Sequence, residues 1–353
     1  MRHLQTLFCA ALLCAACSTN NSSGTAAPAT APSADPPAEA AAATPPAATT
    51  ASAAAGTVKT VTFNSPALGV DKQYKIYLPA GYEDSGKRYP TLYYLHGLTG
   101  GEWTWSSSKM GLVEAADKMG LQAIVVMPDG DDSFYVNWVS PGNYQACMAG
   151  KRPFGEERDM ATYCVKQTRY GDYIIQDLIP HIDATYRTIA QRSARGVGGL
   201  SMGGYGALIL AMRHRDVFAS TASHSGVASM TYAGPIPYEP GKAELVSDVS
   251  TALQALGTFG PHFKRIFGEE LDHWRSLDPT TLAAELSNGD LAIYIDCGTE
   301  DELRLQHGAS YLNEILNKRG VEHEFTLLPG KHDADFWRDR IDDSLAFHMR
   351  HLR

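Results

Sequence analysis

The feature that most constrains this chain is the pentapeptide Gly199-Leu200-Ser201-Met202-Gly203. It lies between an apolar, strand-like run at 194–199 and a small-residue helix opening at Gly203-Gly204-Tyr205-Gly206-Ala207. A G-x-S-x-G sequence set between strand and helix is a nucleophile elbow, a turn so sharp that the serine hydroxyl stands clear of the sheet. The flanking residues must be small because neighbouring backbone passes close by. The helix that follows aims its free N–H groups and positive dipole end at the same point. Alone, the pentapeptide also occurs as an ordinary Gly-rich turn, so its chemistry depends on partners elsewhere in the chain.

With 353 residues the chain has room for two domains, although α/β folds of such length commonly form one. The formal net charge of −9, with no basic cluster to offset it, argues against nucleic acid or an anionic membrane surface as the main partner. No apolar run reaches the roughly 18–20 residues that span a bilayer. Met1-Arg2-His3 followed by a mostly apolar stretch at 4–16 has the layout of a signal peptide, which sets residues 1–17 apart. Its end, Leu12-Leu13-Cys14-Ala15-Ala16-Cys17-Ser18, resembles a bacterial lipoprotein signal, in which Cys17 would be acylated and become the new N-terminus. Cleavage after Ala16, releasing a soluble secreted protein, is the alternative. Residues 18–56 are almost wholly Ala, Pro, Thr and Ser and carry too little apolar bulk to order themselves. They read as a disordered linker holding a domain at 57–353 off a membrane. The expected location is the cell envelope (periplasm or outer membrane) or the medium, with the lipid anchor as the sole membrane contact.

Export sets the reading of the cysteines. Of the 6, Cys9, Cys14 and Cys17 belong to the leader, and Cys147 and Cys164 share one loop-like stretch as a candidate disulfide. Cys297 is left at the end of an apolar strand, as a buried free thiol.

Alternation at 58–63 and 74–78 predicts an antiparallel edge pair turning near Gly69. The continuous apolar run at 91–97 suits a strand buried on both faces of a parallel sheet. Further strands are expected at 122–127, 194–199, 218–225, 291–298 and 324–328. Helices are expected at 109–119, 170–186, 203–214, 303–318 and 335–348. In the second of these Ile174, Ile175, Leu178, Ile179 and Ile182 share a face, and Pro180 should kink it. A long aromatic-rich loop at 131–169 and an excursion at 227–288, with helical pieces at 246–256 and 279–286, interrupt the pattern. Strands alternating with helices imply an α/β fold with a mostly parallel, doubly wound sheet and helices on both faces.

In such sheets function gathers at the carboxyl ends of the strands, here His96-Gly97-Leu98, Asp129, Ser201, Asp301 and His332. Acyl chemistry needs a nucleophile, a base, a group orienting the base, and N–H donors for the oxyanion. His332, in a Gly-containing turn after the last strand, is the expected base among 12 histidines; His96, at a strand end, is the rival and better suits a structural role. Asp301 is the expected orienting acid, with Glu300 and Asp296 competing. The order Ser…Asp…His is that of α/β-hydrolases. The backbone N–H groups of Leu98 and Met202 are the expected oxyanion donors. Trp103, Trp105, Phe134, Tyr135 and Trp138 either line a substrate pocket or pack beneath the long loops. The run Asp129-Gly130-Asp131-Asp132-Ser133 hints at a calcium loop but lacks the later Gly and Glu, so no metal is expected. Nucleotide-binding glycine motifs are missing as well, and no cofactor is expected.

The segments Tyr94-Leu95-His96-Gly97, Met127-Pro128-Asp129-Gly130, Gly199-Leu200-Ser201-Met202-Gly203-Gly204, Gly298-Thr299-Glu300-Asp301 and Gly330-Lys331-His332-Asp333 together resemble the esterase D family of α/β-hydrolases. That family holds S-formylglutathione hydrolases, feruloyl and acetyl-xylan esterases, tributyrin-type esterases and mycolyltransferases. The resemblance covers 58–352 and implies an α/β-hydrolase fold. It also implies a Ser-His-Asp mechanism at Ser201, His332 and Asp301, with Leu98 and Met202 forming the oxyanion hole. Lys331 stands where the family often has Gly, and the 227–288 excursion is long; both bear on substrate more than on chemistry. The leading expectation is a serine carboxylic-ester hydrolase acting on a small-molecule or carbohydrate-linked ester with a short-chain or aromatic acyl group. The alternatives are an acyltransferase of mycolyltransferase type and a non-catalytic envelope-binding module.

Overall fold

A computed structural model describes residues 55–353. The signal peptide, Cys17 and all of the linker but Ala55 and Gly56 lie outside the described residues. The strands are β1 (Thr57–Ser65), β2 (Val70–Leu78), β3 (Thr91–Leu95), β4 (Ile124–Pro128), β5 (Arg195–Leu200), β6 (Ser220–His224), β7 (Tyr232–Gly234), β8 (Glu244–Leu245), β9 (Ala292–Gly298) and β10 (Glu324–Leu328). Eight of them form one sheet in the order β1-β2-β4-β3-β5-β6-β9-β10, and β7 pairs with β8 separately. β1 and β2 form the expected antiparallel edge hairpin, closed where Gly69 takes φ 69°. From β4 to β10 every neighbouring pair is parallel. This is the α/β-hydrolase fold, and it places the carboxyl ends of β3, β5, β6, β9 and β10 along one edge.

β3, β4, β5 and β6 are buried along their whole length because helices cover both faces. On one face the helix Met202–Arg213 packs with Tyr93, Leu95, Val197, Ile293 and Ile295. On the other, the helices Leu112–Lys118 and Ala334–His351 pack with Leu92, Tyr94, Val125 and Met127. Apolar side chains alternating along each strand thus feed two separate cores.

Three stretches differ from the sequence expectation. The predicted helix at 170–186 contains a π-helical segment, Tyr173–Leu178, followed by an α-helix at Ile179–Thr185 with Pro180 in its first turn. Proline lacks the N–H that an i→i−4 bond needs, and the wider π turn accommodates it. The loop at 131–169 carries two short helices, Tyr144–Met148 and Met160–Tyr163. The excursion adds the helices Gly260–Phe267 and Leu271–Ser276 to the expected pair, and these bury Ile266, Phe267 and Trp274.

A buried charge cluster ties β2 to the loop after β4. Lys72 Nζ lies 2.8 Å from Asp129 Oδ2, donates to both Asp131 oxygens at 2.8 and 2.9 Å, and reaches the Thr162 carbonyl at 2.8 Å. Arg158 also binds Asp129, and Tyr170 donates to Asp131 at 2.8 Å. Asp129 and Asp131, two of the three carboxylates that hint at a calcium loop in the sequence, therefore face ammonium and guanidinium groups. Removing one partner from a buried pair leaves uncompensated charge. Lys72→Met is expected to lower unfolding stability by about 3–5 kcal/mol, read from urea denaturation.

Candidate active site

Ser201 sits between β5 and the helix Met202–Arg213 with φ 52° and ψ −117°, the strained geometry an elbow demands. Its N–H donates to the His224 carbonyl at 2.9 Å. A Cβ on Gly199 would collide with the Gly203 carbonyl, and a Cβ on Gly203 with that of Leu95. The sequence spacing of those two glycines is thus fixed by backbone running against backbone.

His332 arrives on the turn after β10. Gly298 and Gly330 touch backbone to backbone, and the Glu300 N–H donates to the Gly330 carbonyl at 2.9 Å, so the acid loop and the histidine loop are locked together. His332 Nδ1–H donates to Asp301 Oδ2 at 2.7 Å, which leaves Nε2 to accept the Ser201 hydroxyl at 2.9 Å. The other Asp301 oxygen accepts the Leu303 N–H at 2.9 Å. Asp301 is 3% exposed, while Ser201 remains partly open to solvent. Such an array can abstract a proton from the serine and hold the resulting imidazolium.

The rivals are placed elsewhere. His96 Nδ1–H donates to the Gly97 carbonyl at 2.8 Å and Nε2 accepts the Gly130 N–H at 2.9 Å, so both ring nitrogens are engaged with backbone. Glu300 is exposed. Asp296 accepts from His224 Nδ1 at 2.7 Å and from the Tyr294 hydroxyl at 2.9 Å, contacts with side chains where the sequence reading expected backbone. His224 Nε2 lies 2.8 Å from Ser344 Oγ. A second Ser–His–Asp row therefore runs through the core, with all three residues fully buried.

Leu98 and Met202 flank the serine. Met202 opens the helix, where first-turn N–H groups lack intrahelical acceptors. A Cβ on Gly97 would lie 3.4 Å from Ser201 Cβ, which puts the peptide carrying the Leu98 N–H beside the nucleophile.

The expected pocket aromatics require correction. Trp105, Phe134 and Tyr135 are core residues at 1%, 4% and 0% exposure. The Trp105 indole donates to the Leu95 carbonyl at 2.9 Å, and the Tyr135 hydroxyl donates to that of His96 at 3.1 Å. Each large ring found a backbone acceptor or an aromatic neighbour beneath the loops, so burial won over pocket lining. Trp103 is exposed, with the Arg158 guanidinium 5.1 Å from its ring. Trp138 borders a cavity of about 390 Å³ with Tyr163, Tyr170 and His262, and Ser201 and His332 are not among its walls.

Two site neighbours escaped the sequence reading. Trp337 stands edge-on to the His332 ring at 5.0 Å and donates to Ser225 Oγ at 3.2 Å. Its position five residues after the histidine, in the opening turns of the last helix, was the available signal. Cys297, read as a bystander, has its Sγ 3.6 Å from Asp301 Oδ2. Burial, then the Asp301 charge, pushes its thiol pKa well up, so it stays a proton donor to the acid.

Cys147 and Cys164 are bonded, with Cα atoms 5.7 Å apart. Closing a loop of this size is worth about 3 kcal/mol on the chain-entropy model. Cys147→Ser should reduce stability by roughly that amount, seen as the same shift on adding reductant to the unaltered protein. Equal stability of the oxidised and reduced proteins would count against the bond.

The family model described as "Putative esterase" matches residues 65–348. Esterase Rv1288 of Mycobacterium tuberculosis is 29% identical over 296 residues, covering 80% of this chain. The alignment takes in 58% of that relative, so the chain spans little more than half its length. Among solved structures, an S-formylglutathione hydrolase from Agrobacterium tumefaciens superposes with a TM-score of 0.61 at 18% identity, covering 86% of this chain and 98% of that one. A ferulic acid esterase gives 0.56 at 22% identity, covering 84% and 99%. The matched span takes in the elbow, the acid loop and the histidine turn, and the chain belongs to this esterase family of α/β-hydrolases.

Proposed function

We propose that the protein is a serine carboxylic-ester hydrolase. The observation that carries this reading is the continuous chain from Asp301 Oδ2 through His332 to Ser201 Oγ, at 2.7 and 2.9 Å, on an elbow partly open to solvent. Ser201 Oγ attacks the ester carbonyl as His332 Nε2 takes its proton, and Asp301 holds the imidazole in the required tautomer. The tetrahedral oxyanion is held by the Leu98 and Met202 N–H groups, each such donor being worth about 3–4 kcal/mol in the transition state. His332 returns the proton to the departing alcohol, leaving an acyl-enzyme on Ser201 that water then cleaves by the same steps in reverse.

The substrate is a small-molecule or carbohydrate-linked ester with a short-chain or aromatic acyl group. Trp103 is the member of the expected pocket set that stays exposed, on the loop that follows the Leu98 turn, and it is our candidate to meet the substrate. On this reading the enzyme works outside the cytoplasm, tethered through Cys17. The Cys147–Cys164 bond, which persists in oxidising compartments, supports export. Palmitate labelling that survives Cys17→Ser would sink the tether.

The test is turnover of p-nitrophenyl esters from acetate to palmitate, and of methyl ferulate. Ser201→Ala and His332→Ala should each lose about 10⁶ in kcat, and Asp301→Asn about 10⁴, with KM little changed. A fluorophosphonate should label the unaltered protein and spare Ser201→Ala. Labelling with a burst but no steady turnover would favour the transferase, whereas folded protein showing neither would overturn the catalytic reading. Asp296→Ala separates the two acid rows: it should cost about 3 kcal/mol of stability by removing a buried acceptor, yet leave fluorophosphonate labelling of Ser201 in place.

A further inference from the structure

We propose that the buried Arg152–Asp132 pair positions the oxyanion hole, by holding Thr99 in the left-handed conformation that shapes the turn carrying the Leu98 N–H. This deepens the ester-hydrolase reading and rests on it. The turn runs from Gly97 to Gly100, whose N–H donates to the Gly97 carbonyl at 3.0 Å. Thr99 occupies its third position with φ 69°. A turn with positive φ there ordinarily takes Gly or Asn, and a β-branched residue in that region is an outlier. Such strain persists only where the surroundings over-determine it.

Here the surroundings do so through one ion pair. Asp132 Oδ1 accepts the Thr99 N–H at 2.8 Å. Arg152 Nη1 donates to the Thr99 carbonyl at 3.0 Å, and Nη2 donates to that of Gly100 at 3.3 Å. The same guanidinium forks onto Asp132, with Nε on Oδ2 at 3.1 Å and Nη2 on Oδ1 at 3.0 Å. The two side chains are 3% and 0% exposed, and Tyr163 donates to Asp132 Oδ2 at 3.1 Å. Thr99 itself is exposed. Gly155 packs against it, leaving no room for a Cβ. Arg152 and Gly155 both lie inside the loop closed by Cys147–Cys164, which limits how far they can move away.

The functional link is the peptide between Gly97 and Leu98. Its carbonyl accepts from Gly100 N–H and from His96 Nδ1–H, so across the trans peptide its N–H faces the opposite way, while Gly97 itself lies against Leu200 and Ser201. Relaxing Thr99 to negative φ turns over the next peptide and frees the turn to drift. A reacting or stabilising group displaced by about 1 Å can cost up to about 100-fold in rate. Arg152 and Asp132 act through Leu98 and touch no substrate; they are positioning residues.

The experiment is a cycle on the full chain with p-nitrophenyl acetate, using Arg152→Met and Thr99→Gly. Glycine adopts positive φ without penalty, so it removes the need for the clamp. Arg152→Met should lower kcat by about 10–100-fold with KM within about twofold, because a transition-state contact is lost. The same change in a Thr99→Gly background should cost less than about threefold. Arg152→Met leaves Asp132 buried with fewer partners, so Arg152→Lys is measured beside it. That variant keeps the charge and loses the planar fork, and should give a smaller kcat loss with the same rescue. Folded Arg152 variants with unchanged kcat, or a kcat loss that Thr99→Gly does not relieve, would overturn the proposal and leave the esterase reading intact. Absence of Ser201-dependent turnover in the unaltered protein would remove both.

Discussion

The close passage of backbone against backbone at the elbow is the constraint on which the rest depends. Gly199 abuts the Gly203 carbonyl and Gly203 abuts that of Leu95, so the helix Met202–Arg213 is pressed onto the ends of β3 and β5. Only there can Ser201 hold φ 52° while its N–H reaches across to the His224 carbonyl. The same contact brings Gly97 beside Ser201 and thereby sets where an oxyanion donor can stand. Strain at one residue is stored because the neighbouring chain leaves it no other conformation.

The molecule contains two serine–histidine–aspartate rows, and their comparison shows what makes one of them a site. In the row of Ser344, His224 and Asp296 the hydrogen bonds are 2.8 and 2.7 Å, as short as those of Ser201, His332 and Asp301. The first row is sealed inside the core and has the Tyr94 hydroxyl 2.8 Å from its serine. No ester can reach it, and its serine stands in the middle of the helix Ala334–His351, where backbone N–H groups are taken up by intrahelical carbonyls. Its effect is to fix His224, whose carbonyl seats the nucleophile. Hydrogen-bond geometry alone does not confer reactivity; solvent access and oxyanion donors complete it.

Much of the fold could be read from local pattern. The strands of the main sheet and most of its covering helices fall where apolar runs and their spacing place them, because parallel strands buried on both faces read as continuous apolar segments. The helices at Gly260–Phe267 and Leu271–Ser276 were harder to see, being short and set in a Gly/Pro-rich excursion whose periodicity rarely lasts beyond two turns. The aromatic loop residues were ambiguous for another reason. Trp105, Phe134 and Tyr135 are large enough to line a pocket or fill a core, and composition does not separate the two.

By itself the sequence determined the elbow, the order of strands and helices, and which acidic and imidazole side chains lie at strand ends, since these follow from contacts between near neighbours in the chain. The sequence named Asp301 as the acid with Asp296 and Glu300 competing; tertiary structure ended that competition by setting Asp301 on His332 and Asp296 on His224, a few residues apart on one strand and its loop. It also decided that Cys297 and Trp337 border the acid and the base, and that Arg152 reaches the turn after Leu98. Those pairings join positions distant in sequence. They are set by which side chains are withdrawn from water together, a property that exists only once the two cores have formed.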